Sequence, residues 1–410
     1  MKKTITFLAI LIATTLFAQN TYVPDDNFET YLETHDVNGN AVAMGDATSM
    51  GNGAMDDYVP TANISSVATL NVSSKSISDL TGIQDFTALT YLLCYNNNLQ
   101  SIDVSQNTVL ESLKCYANHL ATLDVSQNVA LTYLNCSTND LTVLDVSQNT
   151  ALTYLNCSYI NSLTVLDVSQ NTNLNALRCS STGLTTLDVS HNTALTNLDC
   201  TYCSLTTLDI NLNTALTTLY CEFNDLIELD VSNNTALTAL YCRDNDLTVL
   251  DVSQNTALIA LWCDHNILTT LNVKNGNNTN FISFGATNNP NLTCILVDDA
   301  AYSTTNWTNI DATSTFVNNQ AECDALSVAE NSFETQINLY SNPVKNSFTI
   351  INKSSFSIEQ ISIYNVLGKL VYNTNENSTS IPTGSLVNGV YFVKLKSKNK
   401  SITKKIIVSK

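Results

Sequence analysis

Nine cysteines recur in this 410-residue chain at an almost fixed step of 21: Cys94, Cys115, Cys136, Cys157, Cys179, Cys200, Cys221, Cys242 and Cys263. Each sits in one frame, as in "LTYLNCSTNDLTVLDVSQNTA" from Leu131 to Ala151. A fixed period in the twenties specifies a solenoid, in which every turn buries its apolar edge against the next. Length alone would instead divide the chain into two or three ordinary domains.

Turns begin at Leu89, Leu110, Leu131, Leu152, Leu174, Leu195, Leu216, Leu237 and Leu258. One step, from Leu152 to Leu174, carries an extra residue within "SYINS", which reads as a corner bulge. Imperfect turns lie on either side, from Val67 and from Phe281, giving about eleven turns. Apolar positions within "LTYLNC" and "LTVLDV" alternate with the period of strands, and no stretch carries a stripe long enough for a helix. Each turn is therefore predicted to be two short parallel strands. Between them lie tight corners at "STND" and "SQNTA", rich in residues that bond their own backbone.

"LxxLxCxxNxL" resembles the signature segment of leucine-rich repeats, and the following "xxLDVSxNxx" resembles the 21-residue bacterial class called IRREKO. The resemblance covers roughly residues 61–295. It implies a buried Asn at Asn97, Asn118, Asn139, Asn224, Asn245, Asn266 and Asn289, satisfying backbone groups at the corner. Thr182 and Cys203 replace it in two turns and mark weaker corners; the inserted turn blurs it at Ile160–Asn161.

Residues 1–18 read as a secretory signal. Lys2 and Lys3 precede the apolar run "ITFLAILIATTLF", and cleavage is expected after Ala18. The run is too short for a membrane-spanning helix. Residues 24–36, "PDDNFETYLETHD", are predicted to form a short capped helix, with Phe28 and Leu32 inward. "PDDNFE" and "ISDLTGIQDFTALTYL" resemble the N-terminal cap of secreted Bacteroidetes leucine-rich-repeat proteins. "CILVDDAAYSTTNWTNIDATSTFVNNQAEC", from Cys294, resembles the matching C-terminal cap.

The charge balance then changes. From Leu326 onward there are ten Lys, no Arg, four Glu and no Asp, a net of +6 in a chain of net −19. Residues 19–325 hold 5 basic against 32 acidic side chains. Such asymmetry marks a domain boundary. The basic tail alternates apolar and polar residues and reads as a small β-sandwich. Its segments "SNPVKN", "IYNVLGK", "GVYFVKL" and "KKIIV" resemble the type A sorting domain of the type IX secretion system. That resemblance implies export across the outer membrane, docking on the type IX machinery through residues 337–410, and later removal of the tail. The expected fold is thus mainly β. A signal peptide (1–18), N-terminal cap (19–66), solenoid (67–295), C-terminal cap (296–325), linker (326–336) and sorting domain (337–410) follow in order.

Export would normally favour disulfides among twelve cysteines. In the ladder, however, equivalent Cβ atoms on stacked strands lie ~4.8 Å apart, beyond the usual separation for a bridge. The nine are therefore expected to be reduced and to pack as small hydrophobes. Cys294 and Cys323 stand outside the ladder, and their pairing stays open. Cys200 and Cys203 form a lone C-x-x-C with no second pair for zinc.

A second column runs Asp103, Asp124, Asp145, Asp167, Asp188, Asp209, Asp230, Asp251. It is expected to face outward, hydrogen-bonded and solvated, with calcium bridging as the other reading. On the other strand, flanking residues also face out. One row holds Asp199, Tyr220, Tyr241 and Trp262; neighbouring rows hold Tyr133 and Tyr154, and Tyr202 and Phe223 lie at the adjoining corner. Exposed aromatics in a line suit sugar rings or a protein partner, though mutual stacking would also explain them.

Catalysis finds no support. His35, His119, His191 and His265 fall at unrelated frame positions, and no phosphate-cradling loop or hydrolase motif occurs. No cofactor or metal is implied, and the acidic body argues against nucleic acid. The expectation is a monomeric, exported adhesion or binding protein recognising a protein or glycan. A passive surface-layer component is the alternative. A targeting arm of a glycan-degrading system is a third reading.

Overall fold

Repetition at the level of sequence becomes a parallel ladder in the computed structural model, which describes residues 19–326, 336–353, 357–375, 378–398 and 400–410. The expected signal segment lies outside them, as does most of the expected linker. Eleven three-residue strands form one parallel sheet, from Thr69–Asn71 to Ser283–Gly285. Pairing is one-to-one at every step. Leu70 faces Leu92, Leu113 faces Leu134, Leu219 faces Leu240, and Leu261 faces Phe284. Each central leucine and each ladder cysteine is buried, in one continuous core that also takes the Leu and Val of the opposite side. The nine ladder cysteines and Cys203 are free thiols. Cys294 and Cys323 are disulfide-bonded.

The second strand of each turn differs from the expectation. It is paired only at Val249–Asp251, Thr270–Asn272, Cys294–Leu296 and Thr315–Val317. Elsewhere the same segment makes no ladder. "LTVLDVSQNTAL" occurs identically at 141–152 and 247–258, yet only the second copy pairs. The neighbouring turn decides. Asp251 meets Asn272, whose Nδ2 donates to its Oδ2 at 3.2 Å. Asp145 meets carboxylates on both sides, Asp124 and Asp167, which repel it.

Two asparagine columns hold the corners. Asn118 represents the expected one. Its Nδ2 donates to the carbonyls of Cys94 and Cys115, both at 3.0 Å, and its Oδ1 accepts the Leu99 amide at 3.1 Å. The second column was not singled out from the sequence. It runs through the corners that read "SQN" in five turns and "SHN", "NLN" and "SNN" in three, where Asn107, Asn128, Asn149, Asn171, Asn192, Asn213, Asn234 and Asn255 are fully buried. Asn128 Nδ2, for example, donates to the carbonyls of Val104 and Asn107, both at 2.9 Å. Where Thr182 and Cys203 interrupt the first column, the Thr182 hydroxyl and Cys203 thiol both donate to the Cys179 carbonyl, at 2.8 and 3.3 Å.

The cap helix, Asp26–Glu33, is opened by Asp25, whose Oδ1 accepts the amides of Asn27 and Phe28. Its other oxygen accepts Ser78 N at 2.8 Å and ties the cap to the first turns. The irregular stretch that follows is fastened by buried Glu33, whose two oxygens accept the amides of Asn52 and Gly53 at 2.6 Å. At the other end a helix, Ala300–Asn306, and the rings of Phe281, Phe284, Trp307 and Phe316 cover the core.

The chain divides into two compact units, 1–316 and 317–410. The second has its own apolar core between two antiparallel sheets. One holds Ile337–Tyr340, Ser347–Asn352 and Ser380–Pro382; the other holds Gln360–Asn365, Leu370–Thr374, Gly389–Ser397 and Lys400–Val408.

Candidate functional site

Strand alternation places residues one before and three before each ladder cysteine on the outer face of the eleven-stranded sheet. The corner two residues after each cysteine adopts a left-handed backbone in every turn: Asn96, Ala117, Thr138, Tyr159, Ser181, Tyr202, Phe223, Asp244, His265 and Asn288, with φ between 52° and 59°. A non-glycine residue there costs roughly 1–2 kcal/mol. It persists because both flanks are fixed by hydrogen bonds to the next turn, as in Ser181 N to Thr201 O at 2.8 Å.

All eight candidate residues lie on this sheet side. Asp199, Tyr220, Tyr241 and Trp262 stand opposite one another on four successive strands. Tyr220 and Tyr241 stack at 4.8 Å and 8°. Trp262 donates its indole N–H to Ser283 Oγ at 2.6 Å. Tyr133 and Tyr154 stack at 4.3 Å, six and five strands away from Trp262 along the sheet, with Lys114 Nζ 5.0 Å from the Tyr133 ring. Burial, then the neighbouring Tyr154, pushes the Tyr133 hydroxyl up to about 12. At the corner Tyr202 and Phe223 stack at 4.0 Å, and the Arg243 guanidinium lies 4.9 Å from the Phe223 ring. The candidates therefore form two groups: Tyr133–Tyr154, and a larger one running from Asp199 to Trp262.

The larger group borders a surface depression of about 400 Å³ whose lining includes Tyr159, Arg178, Asp199, Tyr202, Tyr220 and Glu222. Tyr159, Arg178, Glu222 and Arg243 escaped the sequence reading. One signal was available: Arg178 and Arg243 are the only arginines in the chain. Both fall beside these rings. Glu222 is half-buried; burial raises its carboxyl above the ordinary range, against the opposing pull of Arg243.

The aspartate column lies on the other side of the turn. Each Asp Oδ1 accepts the amide two residues on, as in Asp145 from Ser147 at 2.9 Å. That amide, followed by the serine hydroxyl, holds the Asp145 carboxyl below its usual value; Asp103, Asp124 and Asp167 are held the same way. Among the described residues no group of three His, Cys, Asp or Glu side chains is placed to hold a metal ion. The four histidines stay apart, with His35 stacked on Tyr31 and His265 beside Asn288.

Comparison with known proteins agrees with this anatomy. Residues 338–409 match the family described as the secretion system C-terminal sorting domain. Internalin J of Listeria monocytogenes serotype 4b (strain F2365) is 36% identical over 89 residues. Those residues are 22% of this chain and span only 8% of the length of that relative. Among solved structures, the functional domain of InlJ from Listeria monocytogenes, described as including a cysteine ladder, is 27% identical with a TM-score of 0.55. The match covers 95% of this chain and 98% of that one. No described helix is long and apolar enough to cross a membrane. The chain therefore has an internalin-like leucine-rich-repeat solenoid followed by a secretion system C-terminal sorting domain.

Proposed function

We propose that this exported solenoid is a non-catalytic binding or adhesion protein, displayed on or released from the cell surface, that recognises a protein or glycan through the outer face of its parallel sheet. One observation carries the reading. In a body with 32 acidic and 5 basic side chains, both arginines and the rows of exposed and half-buried aromatics gather on one face. Aromatics and arginine are the residues enriched at recognition surfaces. Export by the type IX machinery, acting on the basic tail, fits the sorting-domain match.

The Tyr220–Tyr241 stack favours a second reading, a passive surface component whose rings only brace the sheet. The two readings separate on Tyr241→Ala. Stacking is worth about 0.5–1.5 kcal/mol; a ligand anchor is worth about 1–3 kcal/mol of binding. A glycan array and a pull-down from host or community extracts would supply the ligand. Weakened capture with near-intact folding supports recognition. Unchanged capture with a large fall in thermal midpoint overturns it.

A further inference from the structure

The left-handed corner column carries a ring at Tyr159, none at Ser181, and rings again at Tyr202 and Phe223. We propose that the gap over Ser181 is a subsite for one neutral sugar ring of a glycan, clamped between Tyr159 and Tyr202 and hydrogen-bonded by Arg178, Asp199 and Glu222. The proposal rests on the reading of the sheet side as the binding face, and gives that face a ligand class.

The three corners are equivalent. Their φ values are 59°, 54° and 53°. The amides of Tyr159, Ser181 and Tyr202 donate to the carbonyls of Ser180, Thr201 and Glu222 at 2.8, 2.8 and 3.0 Å. The extra residue of the 22-residue turn is thus absorbed after Tyr159, and the column stays in register. One face of Tyr202 is covered by Phe223 at 4.0 Å. Its other face looks toward Ser181 and the depression of about 400 Å³, within the size range of small-ligand sites.

Spacing selects the occupant. Tyr159 and Tyr202 are two turns apart, or ~9.6 Å at the ~4.8 Å strand separation. A single ring midway would sit ~4.8 Å from each, close to the 4.0 to 4.8 Å at which rings on adjacent turns already stack here. Two rings do not fit.

Chemistry selects further. A pyranose has apolar C–H faces and a rim of hydroxyls. Its faces suit the two phenol rings, and its rim meets two carboxylates that accept and one guanidinium that donates. Those groups stand ready. Among the described residues no hydrogen bond reaches the Glu222 carboxylate, and none is made by the Arg178 guanidinium or the Tyr159 and Tyr202 hydroxyls. Asp199 gives one oxygen to Thr201 N at 3.2 Å. An aromatic side chain from a peptide would fill the same slot but make no use of these polar groups, whereas a sugar's hydroxyl rim engages them. Asp199 and Glu222 outnumber Arg178 in the lining, and Arg243, which pulls on Glu222, is itself paired with Asp244 at 3.0 Å, so the rim disfavours an acidic sugar.

The test is titration of the full secreted protein with neutral hexose oligosaccharides and with their uronic acid counterparts. Ser181→Tyr adds the missing ring at a corner that accepts tyrosine on both sides, so folding is retained and the slot is closed. Tyr202→Ala and Glu222→Gln open it or weaken its rim. Binding of neutral oligosaccharides, lowered at least tenfold by Ser181→Tyr with a thermal midpoint that does not fall, supports the subsite. Neutral sugar binding indifferent to Ser181→Tyr and Tyr202→Ala overturns it, as does binding of uronic acids alone or of no sugar. In those cases the broader reading is judged separately, by whether capture of a partner falls in Tyr241→Ala.

Discussion

At the scale of single residues, Cys203 departs from its nine fellows. Burial pushes the ladder thiols up, Cys94 to about 12. Cys203 occupies an asparagine position and is 8% exposed. Besides donating to the Cys179 carbonyl, its sulfur lies beside the Cys179 side chain and 3.2 Å from the Thr182 hydroxyl; hydrogen bonding from these, against the opposing effect of burial, brings it down to about 7. The thiolate is the reactive form, so reactivity follows this difference. Native protein treated with iodoacetamide is expected to take one label, on Cys203, at a rate that rises as the pH passes about 7. Unfolding should then expose the other nine free thiols. Peptide mapping checks both steps. Rapid labelling of Cys136 or Cys157 in the folded protein would show that the ladder is not sealed.

At the scale of elements, the aspartate corners make the turns sensitive to acid. The folded-state values of Asp103, Asp145 and Asp230 lie below the ordinary carboxylate value of about 3.9. Ionisation therefore favours the fold above that value, and the contribution is lost as the pH falls through the lower folded values. The urea midpoint is expected to be flat above about pH 5 and to fall below about pH 4. Asp145→Asn should remove one turn's share of the slope; an unchanged slope would place the acid response elsewhere. The same column shows what was legible in the sequence. Leucine and cysteine spacing carried the ladder and its register, and the leucine-rich-repeat resemblance carried the first asparagine column, because each is set by one turn's own pattern. Pairing of the second strand was not legible. Identical segments at 141–152 and 247–258 behave differently according to whether Asp167 or Asn272 comes next. Six of the eight candidate site residues were placed on the outer face by strand alternation, and Tyr202 and Phe223 by their position at the adjoining corner. Tyr159 and Glu222 were not found, since a depression is created by the small residues between large ones. That is a relation across turns, which no single repeat displays.

At the scale of the whole molecule, the change of charge near Leu326 separates two jobs. The acidic unit carries the sheet face and the basic unit carries the sorting match. A chain addressed by its tail no longer needs the tail at its destination. Mass spectrometry of surface and culture fractions is expected to find chains ending between about residues 324 and 340, the span that joins the two patterns. A surface form ending at Lys410 would contradict this.

The unbroken one-to-one register has a consequence for ancestry. Since Leu113 meets Leu134 as Leu219 meets Leu240, a turn can be copied or dropped in units of 21 without disturbing its neighbours. Rod length is then a variable that recombination between repeats can change in one event. Such exchange leaves no mark where the copies are alike and shows only where they differ. The 22-residue turn, Thr182, Cys203 and the two arginines are unlike, and they fall within five consecutive turns. In those turns one copy is no substitute for its neighbour, whatever the length of the rod.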